Sequence, residues 1–216
     1  MVKWVCRAAN VSAVLLFYGL MLLAALPKLH GVRVLYGIPL NPSGGTDLLL
    51  FGKWLFVRSV PVLANGAFLE RAGYIRTFSL LRMRRRRDLT WRLWFGCGFL
   101  EILWALLLSA GGFFLDGVRG AAAFPLLALS GVLWGTVQLA LYERFRRAAW
   151  TGLLLLGFAG GVCLAGLQNP ALAGFMPAMW GMPCRAQESG AYALSLLKCA
   201  GGAGFAACFL WADREE

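Results

Sequence analysis

The stretch Glu70–Arg92 reads Glu-Arg-Ala-Gly-Tyr-Ile-Arg-Thr-Phe-Ser-Leu-Leu-Arg-Met-Arg-Arg-Arg-Arg-Asp-Leu-Thr-Trp-Arg and is the only long hydrophilic segment of the chain. It carries eight arginines against two acids, Glu70 and Asp88. Because arginine keeps its charge at any physiological pH, this segment does not cross a bilayer easily. It therefore predicts a basic loop over residues 70–90 on the cytoplasmic side of a membrane, with the flanking sequence arranged around it.

The composition of the chain is that of a membrane protein. Of its 216 residues 60% are hydrophobic and only 14% are charged, and the mean hydropathy is +0.68. The charges are concentrated in short blocks between long apolar runs, so the net charge of +11 is explained by basic cytoplasmic loops rather than by nucleic-acid binding. We expect a multi-pass protein of a bacterial plasma membrane, with the lipid bilayer and no nucleic acid among its partners.

Six apolar segments of about 20 residues each predict an all-α polytopic fold. The second segment, 48–69, contains Lys53, Arg58, Pro61 and Asn65, so an interfacial or re-entrant segment is the alternative there. A crossing that faces protein is favoured, because it keeps the N-terminal head and the arginine block on the same side. The predicted spans are 8–26, 48–69, 91–115, 121–142, 148–167 and 191–212 in a single transmembrane domain.

The distribution of basic residues predicts the topology. Of 21 Lys and Arg, 14 fall on the inner side of this arrangement and four on the outer side, and three lie within spans. Both termini are therefore predicted to be cytoplasmic. A cleaved signal peptide is the competing interpretation of 8–26. On the outer side, segment 168–190 is expected to lay Leu172, Phe175, Met176, Met179 and Trp180 on the membrane surface.

Motifs for catalysis and metal binding are missing from the sequence. Six cysteines form no Cys-x-x-Cys pair, and the single histidine, His30, has no Cys or His near it. No hydrolase or metalloprotease motif is found, and the segment 45–54 fails as a phosphate loop because Asp47 and Trp54 occupy two of its required positions. We expect no enzyme activity, no metal and no cofactor in this chain.

Three charged residues within the spans, Arg58, Glu101 and Lys198, are the candidate site inside the membrane. A charge in the hydrocarbon core costs about 2.5–3.5 kcal/mol, so such residues pair or line a cavity. Arg58 and Glu101 are predicted at similar depths on antiparallel spans, which favours an ion pair between them, with Lys198 as the alternative partner. The pair either sets the helix register or lines a substrate path. Separately, Gly131/Gly135 and Gly157/Gly161 have the spacing of close helix contacts, within one chain or between two copies.

The arginine block also resembles a known segment of membrane transporters. An acid at the end of a span, a Gly-Tyr-Ile-Arg step, an arginine run and a Trp that opens the next span are similar to the membrane subunits of type-two ABC exporters, in particular the short six-span permeases of bacteriocin protection and multidrug export. The residues that carry the resemblance are Glu70, Tyr74, Arg76, Arg82, Arg84, Arg85, Arg86, Arg87 and Trp91.

The resemblance implies a permease subunit of an ATP-driven export complex, whose ATPase is a separate chain and whose second half is another permease subunit. The ATPase is expected to dock on Glu70, Tyr74, Arg76, Arg82 and Arg84–Arg87, and we add the basic cluster Arg144, Arg146 and Arg147 as a second coupling element. Three alternatives remain: a stand-alone carrier or channel that uses the intramembrane charges, a membrane enzyme acting on lipid or isoprenoid substrates, and a non-catalytic assembly or immunity protein.

Overall fold

All secondary structure in the part of the chain that the structure describes is α-helical. The structure, a computed structural model, describes residues 37–38, 48–82, 86–116, 121–169, 174–188 and 190–212. The helices in these ranges are α1 Leu48–Arg82, α2 Arg86–Asp116, α3 Phe124–Phe145, α4 Ala148–Gln168, α5 Pro177–Trp180, α6 Pro183–Glu188 and α7 Tyr192–Ala212.

Four of the described helices are long and apolar enough to cross a membrane. They cover 88–113 in α2, 124–145 in α3, 148–168 in α4 and 192–211 in α7. These ranges confirm four of the predicted spans, 91–115, 121–142, 148–167 and 191–212, as candidate membrane helices. The predicted span 8–26 lies outside the described residues, as do both termini. Large apolar side chains on the outer faces of these helices are exposed, as lipid contact requires; they include Phe95, Phe99, Leu153, Phe158, Leu197, Phe205 and Phe209.

Helix α1 is packed inside the bundle although it is more polar than the four candidate spans. It contacts α2, α3 and α4, and its Trp54, Val57, Ala64 and Phe68 are buried. Two of its polar residues, Arg58 and Asn65, contact neighbouring helices. Helix α1 is not among the four candidate membrane helices, so the crossing of 48–69 stays a prediction. Its length differs from the prediction: segment 70–90, predicted as a loop, is helical over 70–82 and 86–90.

Helix α3 lies at the centre of the bundle, where it packs against α1, α2, α4 and α7. Its buried polar side chains bind the neighbouring helices. Thr136 Oγ1 accepts a hydrogen bond of 2.9 Å from Trp94 Nε1 of α2. Gln138 Nε2 donates one of 2.8 Å to the carbonyl oxygen of Val62 in α1. Because unpaired polar groups are costly in a membrane core, these bonds favour one arrangement of the helices.

The basic segments that the structure describes lie at one end of the bundle, which we call the basic end. The Tyr142 hydroxyl, at the end of α3, lies 2.5 Å from the position of a Cβ added to Gly73 in α1. At the same end, the ring of Trp211 in α7 lies 4.2 Å from that of Trp91 in α2, centroid to centroid. The C-terminal parts of α1 and α7, the start of α2 and the α3–α4 turn thus lie at the same end of the bundle.

The segment 174–188, which contains α5 and α6, lies at the opposite end of the bundle. Phe175 is 78% exposed, but Met179 and Met182 are buried, together with Cys163 of α4. The prediction that Met179 lies on the membrane surface is therefore wrong. Met179 fits into the space beside Gly166, where a Cβ would lie 2.5 Å from its sulfur. Trp180 and Met176 are partly buried, and Leu172 lies outside the described residues.

Candidate functional site

Arg58 extends from α1 towards the segment 174–188. Its Nη2 donates a hydrogen bond of 2.9 Å to Ser130 Oγ in α3 and one of 3.3 Å to the carbonyl oxygen of Gly181. Its guanidinium carbon lies 6.0 Å from the centre of the Trp54 ring, at the limit of a cation–π contact. The cation is thus held by two neutral acceptors, a hydroxyl and a carbonyl, and by an indole ring. These groups take the place of a carboxylate.

Glu101 lies in the middle of α2 and is only 2% exposed. Its Oε1 accepts a hydrogen bond of 2.9 Å from Nδ2 of Asn65, which is fully buried in α1. Gly131 and Gly135 of α3 provide the room for this side chain: a Cβ added at Gly131 would lie 2.8 Å from Glu101 Oε2, and one at Gly135 would lie 3.2 Å from Glu101 Cγ. The first of the two glycine pairs therefore accommodates a buried carboxylate between helices.

Arg58 and Glu101 face the same cavity but do not form the predicted ion pair. No salt bridge within 4.0 Å joins them in the described part of the chain, although they are close enough to attract each other. The cavity measures about 20 Å³, room for about one water molecule. Its walls are aromatic and aliphatic; besides the two charged residues it is lined by Trp54, Pro61, Val62, Trp134, Leu155, Leu156 and Ala159.

The contacts of Lys198 are with the segment 174–188. Its Nζ donates a hydrogen bond of 2.7 Å to the carbonyl oxygen of Gly174 and lies 6.0 Å from the centre of the Trp180 ring. The Nε1 of Trp180 donates to the same carbonyl at 3.0 Å. Lys198 thus holds the start of the segment 174–188 and is not the partner of Glu101 that the sequence offered as an alternative.

The predicted docking residues that the structure describes are exposed at the basic end. Glu70 on α1 is exposed, as are Arg144, Arg146 and Arg147 in the α3–α4 turn. Arg146 Nη1 forms an ion pair of 2.9 Å with Glu143 Oε2. The side chains of the remaining predicted docking residues, Tyr74, Arg76, Arg82, Arg84, Arg85, Arg86 and Arg87, lie outside the described part.

Three members of the site were not among the predicted site residues. Asn65 had a visible signal, because a lone amide in an apolar helix needs a buried partner. Ser130 precedes the Gly131/Gly135 pair, but nothing in the sequence links it to Arg58. Gly181 takes part through its backbone carbonyl, for which a sequence has no marker. Among the described residues, no three His, Cys, Asp or Glu side chains come together as a potential metal site.

Comparison with known proteins identifies no family. No family model, no curated protein and no solved structure matches this chain. Function must therefore be inferred from the arrangement of the residues.

The bond between Asn65 and Glu101 can be tested by two substitutions at one position. We expect Glu101→Leu to lower the free energy of unfolding by about 1–3 kcal/mol, because the buried Asn65 amide loses its acceptor. Glu101→Gln keeps an acceptor oxygen and should change it by less than about 1 kcal/mol. Denaturant unfolding in detergent micelles measures both. Equal losses in the two variants would show that the charge of Glu101, and not its hydrogen bond, stabilises the bundle.

Proposed function

We propose that this chain is the membrane-spanning permease subunit of an ATP-driven export complex, in which a separate ATPase subunit binds the basic end. The observation that carries the proposal is the continuity of α1 and α2 between the basic end and the candidate site. Arg82 at the end of α1 is 24 residues from Arg58, about 36 Å along one helix. The same geometry places the charged residues of the cavity on the two helices that carry the arginine block.

The lengths of these helices favour a coupling role. Helix α1 has 35 residues and α2 has 31, about 52 Å and 46 Å, whereas the hydrocarbon core of a bilayer is about 30 Å thick. Both helices therefore extend beyond the core at the basic end, where eight arginines are encoded between Glu70 and Arg92. A partner that pushes on this extension moves Arg58 and Glu101 with it, because a helix transmits displacement along its axis.

The exported substrate would pass the cavity between Arg58 and Glu101. Arg58 is bound to Ser130 and Gly181 and Glu101 to Asn65, so each charge can be released without breaking a direct ion pair. A second permease copy completes the proposed complex. The exposed Gly157 and Gly161 of α4, which have no described atom within 4 Å of an added Cβ, offer a surface on which another helix could pack closely.

The experiment that tests this function is co-purification from mild detergent. We expect an ATPase to co-purify with the wild-type chain and to be lost when Arg84, Arg85, Arg86 and Arg87 are all changed to Gln, because the docking surface loses four charges. A control with Arg33→Gln and Arg119→Gln, on the predicted outer side, should retain the ATPase. Labelling of the 70–90 segment from each side of the membrane checks that the variant inserts correctly.

Two other results would redirect the assignment. Retention of the ATPase by the correctly inserted four-Gln variant would show that the arginine block is not the docking surface. If no ATPase co-purifies with either protein, a stand-alone carrier becomes the favoured function. The observation that supports a carrier is the cavity with two opposite charges inside a single chain. A non-catalytic assembly or immunity protein needs neither an ATPase nor this cavity.

A further inference from the structure

The segment 174–188 enters the helix bundle instead of covering its end. Trp180 packs beside Gly202 of α7, where an added Cβ would lie 3.4 Å from the indole ring. Gly202 is ten residues from the start of α7, a depth of about 15 Å. Gly181 packs against Ser130, six residues or about 9 Å from the start of α3. The segment therefore descends between helices that cross the membrane.

The fit of this segment depends on glycines at its contacts. Met179 occupies the space beside Gly166, and Met182 contacts Gly37, where an added Cβ would lie 2.8 Å from the methionine Cβ. Gly181 is itself the tightest contact: a Cβ added there would overlap the side chain of Ser130 and lie 3.2 Å from Arg58 Nη2. A side chain at position 181 therefore cannot be accommodated unless the segment moves outward.

The polar contacts of the segment come from long side chains and reach backbone carbonyls. Arg58 binds the carbonyl of Gly181, and Lys198 binds that of Gly174 at 2.7 Å. Within the segment, Arg185 Nε donates a bond of 3.0 Å to the carbonyl of Ile38. The acceptors of Arg58 and Lys198 in these bonds are neutral backbone carbonyls. At its far end Gly190, with φ +62°, joins the segment to α7.

The segment is packed on the wall of the Arg58–Glu101 cavity. Trp54 and Ala159, which line the cavity, belong to the same buried cluster as Met179 and Met182. Arg58 lines the cavity and binds Gly181. Outward movement of the segment would thus remove packing from two wall residues and free the Nη2 of Arg58 at once.

We propose that segment 174–188 is a re-entrant plug that closes the Arg58–Glu101 cavity on the side opposite the basic end, with the Arg58–Gly181 bond as its latch. The plug opens by moving out of the bundle as a unit, and this movement exposes the cavity to the medium on that side. The inference concerns the chain alone and holds whether the chain works with an ATPase or as a carrier.

Native cysteines provide the reporters for a test. Cys163 of α4 is 0% exposed and lies in the cluster with Met179, whereas Cys97 of α2 is 1% exposed and lies 3.7 Å from a Cβ added at Gly135, at the contact of α2 with α3. Two proteins are prepared, each keeping one of these cysteines while the other five are changed to alanine. Reaction with a membrane-impermeant maleimide is followed on each side of sealed vesicles.

We expect Gly181→Val to raise the labelling rate of Cys163 by about tenfold or more, from the side of the plug only, because opening of a local unit exposes the groups beneath it. Cys97 should stay protected. Gly201→Val is the matched control, since an added Cβ at Gly201 has no described atom within 4 Å. Arg58→Met, which removes the latch without adding bulk, should raise Cys163 labelling by about threefold.

Two outcomes would overturn the plug. Wild-type labelling rates in both Gly181→Val and Arg58→Met would show that the segment does not close the cavity. A parallel rise at Cys97 in Arg58→Met would show general loosening of the bundle in place of local opening. If Gly181→Val does not insert, Arg58→Met decides alone. Loss of ATPase binding does not affect these labelling rates. The plug proposal and the export proposal can therefore be refuted independently of each other.

Discussion

Trp104→Ala should lower the free energy of unfolding by about 3–5 kcal/mol, the range for removal of a large aromatic side chain from a packed core. Trp104 of α2 is 1% exposed and is the largest fully buried side chain among the described residues. It belongs to the main cluster, where α1, α2 and α3 meet. Its replacement leaves a space that neither water nor lipid can fill easily, so the lost contacts are not replaced.

Two further variants separate this effect from a general property of aromatic residues in the membrane. Phe99→Ala removes a ring from the same helix that is 63% exposed, and it should change the free energy of unfolding by less than about 0.5 kcal/mol. Trp104→Phe keeps most of the ring and removes an Nε1 that has no hydrogen-bond partner in the described part of the chain, so it should cost less than about 1.5 kcal/mol. Denaturant titration in micelles measures all three, and similar losses at 99 and 104 would contradict the packing described here.

Gly131→Leu should lower the free energy of unfolding by about 3 kcal/mol, at the upper end of the range for overpacking. A Cβ at this position would lie 2.8 Å from Glu101 Oε2 and 3.0 Å from Glu101 Cβ. The second contact is with an atom close to the α2 backbone, so rotation of the side chain cannot relieve it. Helices α2 and α3 must therefore move apart.

The other glycine pair supplies the control. Gly157→Leu places the same side chain on α4, where an added Cβ has no described atom within 4 Å. It should not lower the free energy of unfolding of the monomer and should raise it by somewhat less than about 1 kcal/mol, because leucine favours the helix over glycine. Thermal unfolding in detergent compares the two variants directly. A large loss at 157 in a dilute, monomeric preparation would show that this face packs within the chain.

The helices that the sequence predicts best are those with uninterrupted apolar runs. The stretches around Leu126–Leu141 and Leu153–Leu167 contain no charged residue, and an apolar run of that length predicts a membrane helix. The sequence also predicted that the turn joining these helices lies on the same side as the arginine block, because Arg144, Arg146 and Arg147 give it a positive charge. The inward orientation of α1 followed from Arg58 and Asn65, which lipid does not accept.

The contacts of the candidate site were less accessible to such reasoning. Sequence spacing put Arg58 and Glu101 at similar depth, and they do share a cavity. It could not show that Arg58 turns towards Gly181, because this depends on a segment distant in sequence that fits only where glycines leave room. Met179 was misplaced for the same reason. Hydrophobicity alone does not distinguish a side chain on the membrane surface from one inserted among helices.

The connection between α3 and α4 consists of two residues, Arg146 and Arg147. Arg146 has a left-handed backbone conformation, with φ 58°. Its backbone N–H donates a hydrogen bond of 2.7 Å to the carbonyl oxygen of Tyr142, and its side chain forms an ion pair with Glu143. A joint this short leaves the two helices little freedom to splay apart. Any alternation between open and closed forms therefore keeps α3 and α4 together at the basic end, and they can separate only at their opposite ends, beside segment 174–188.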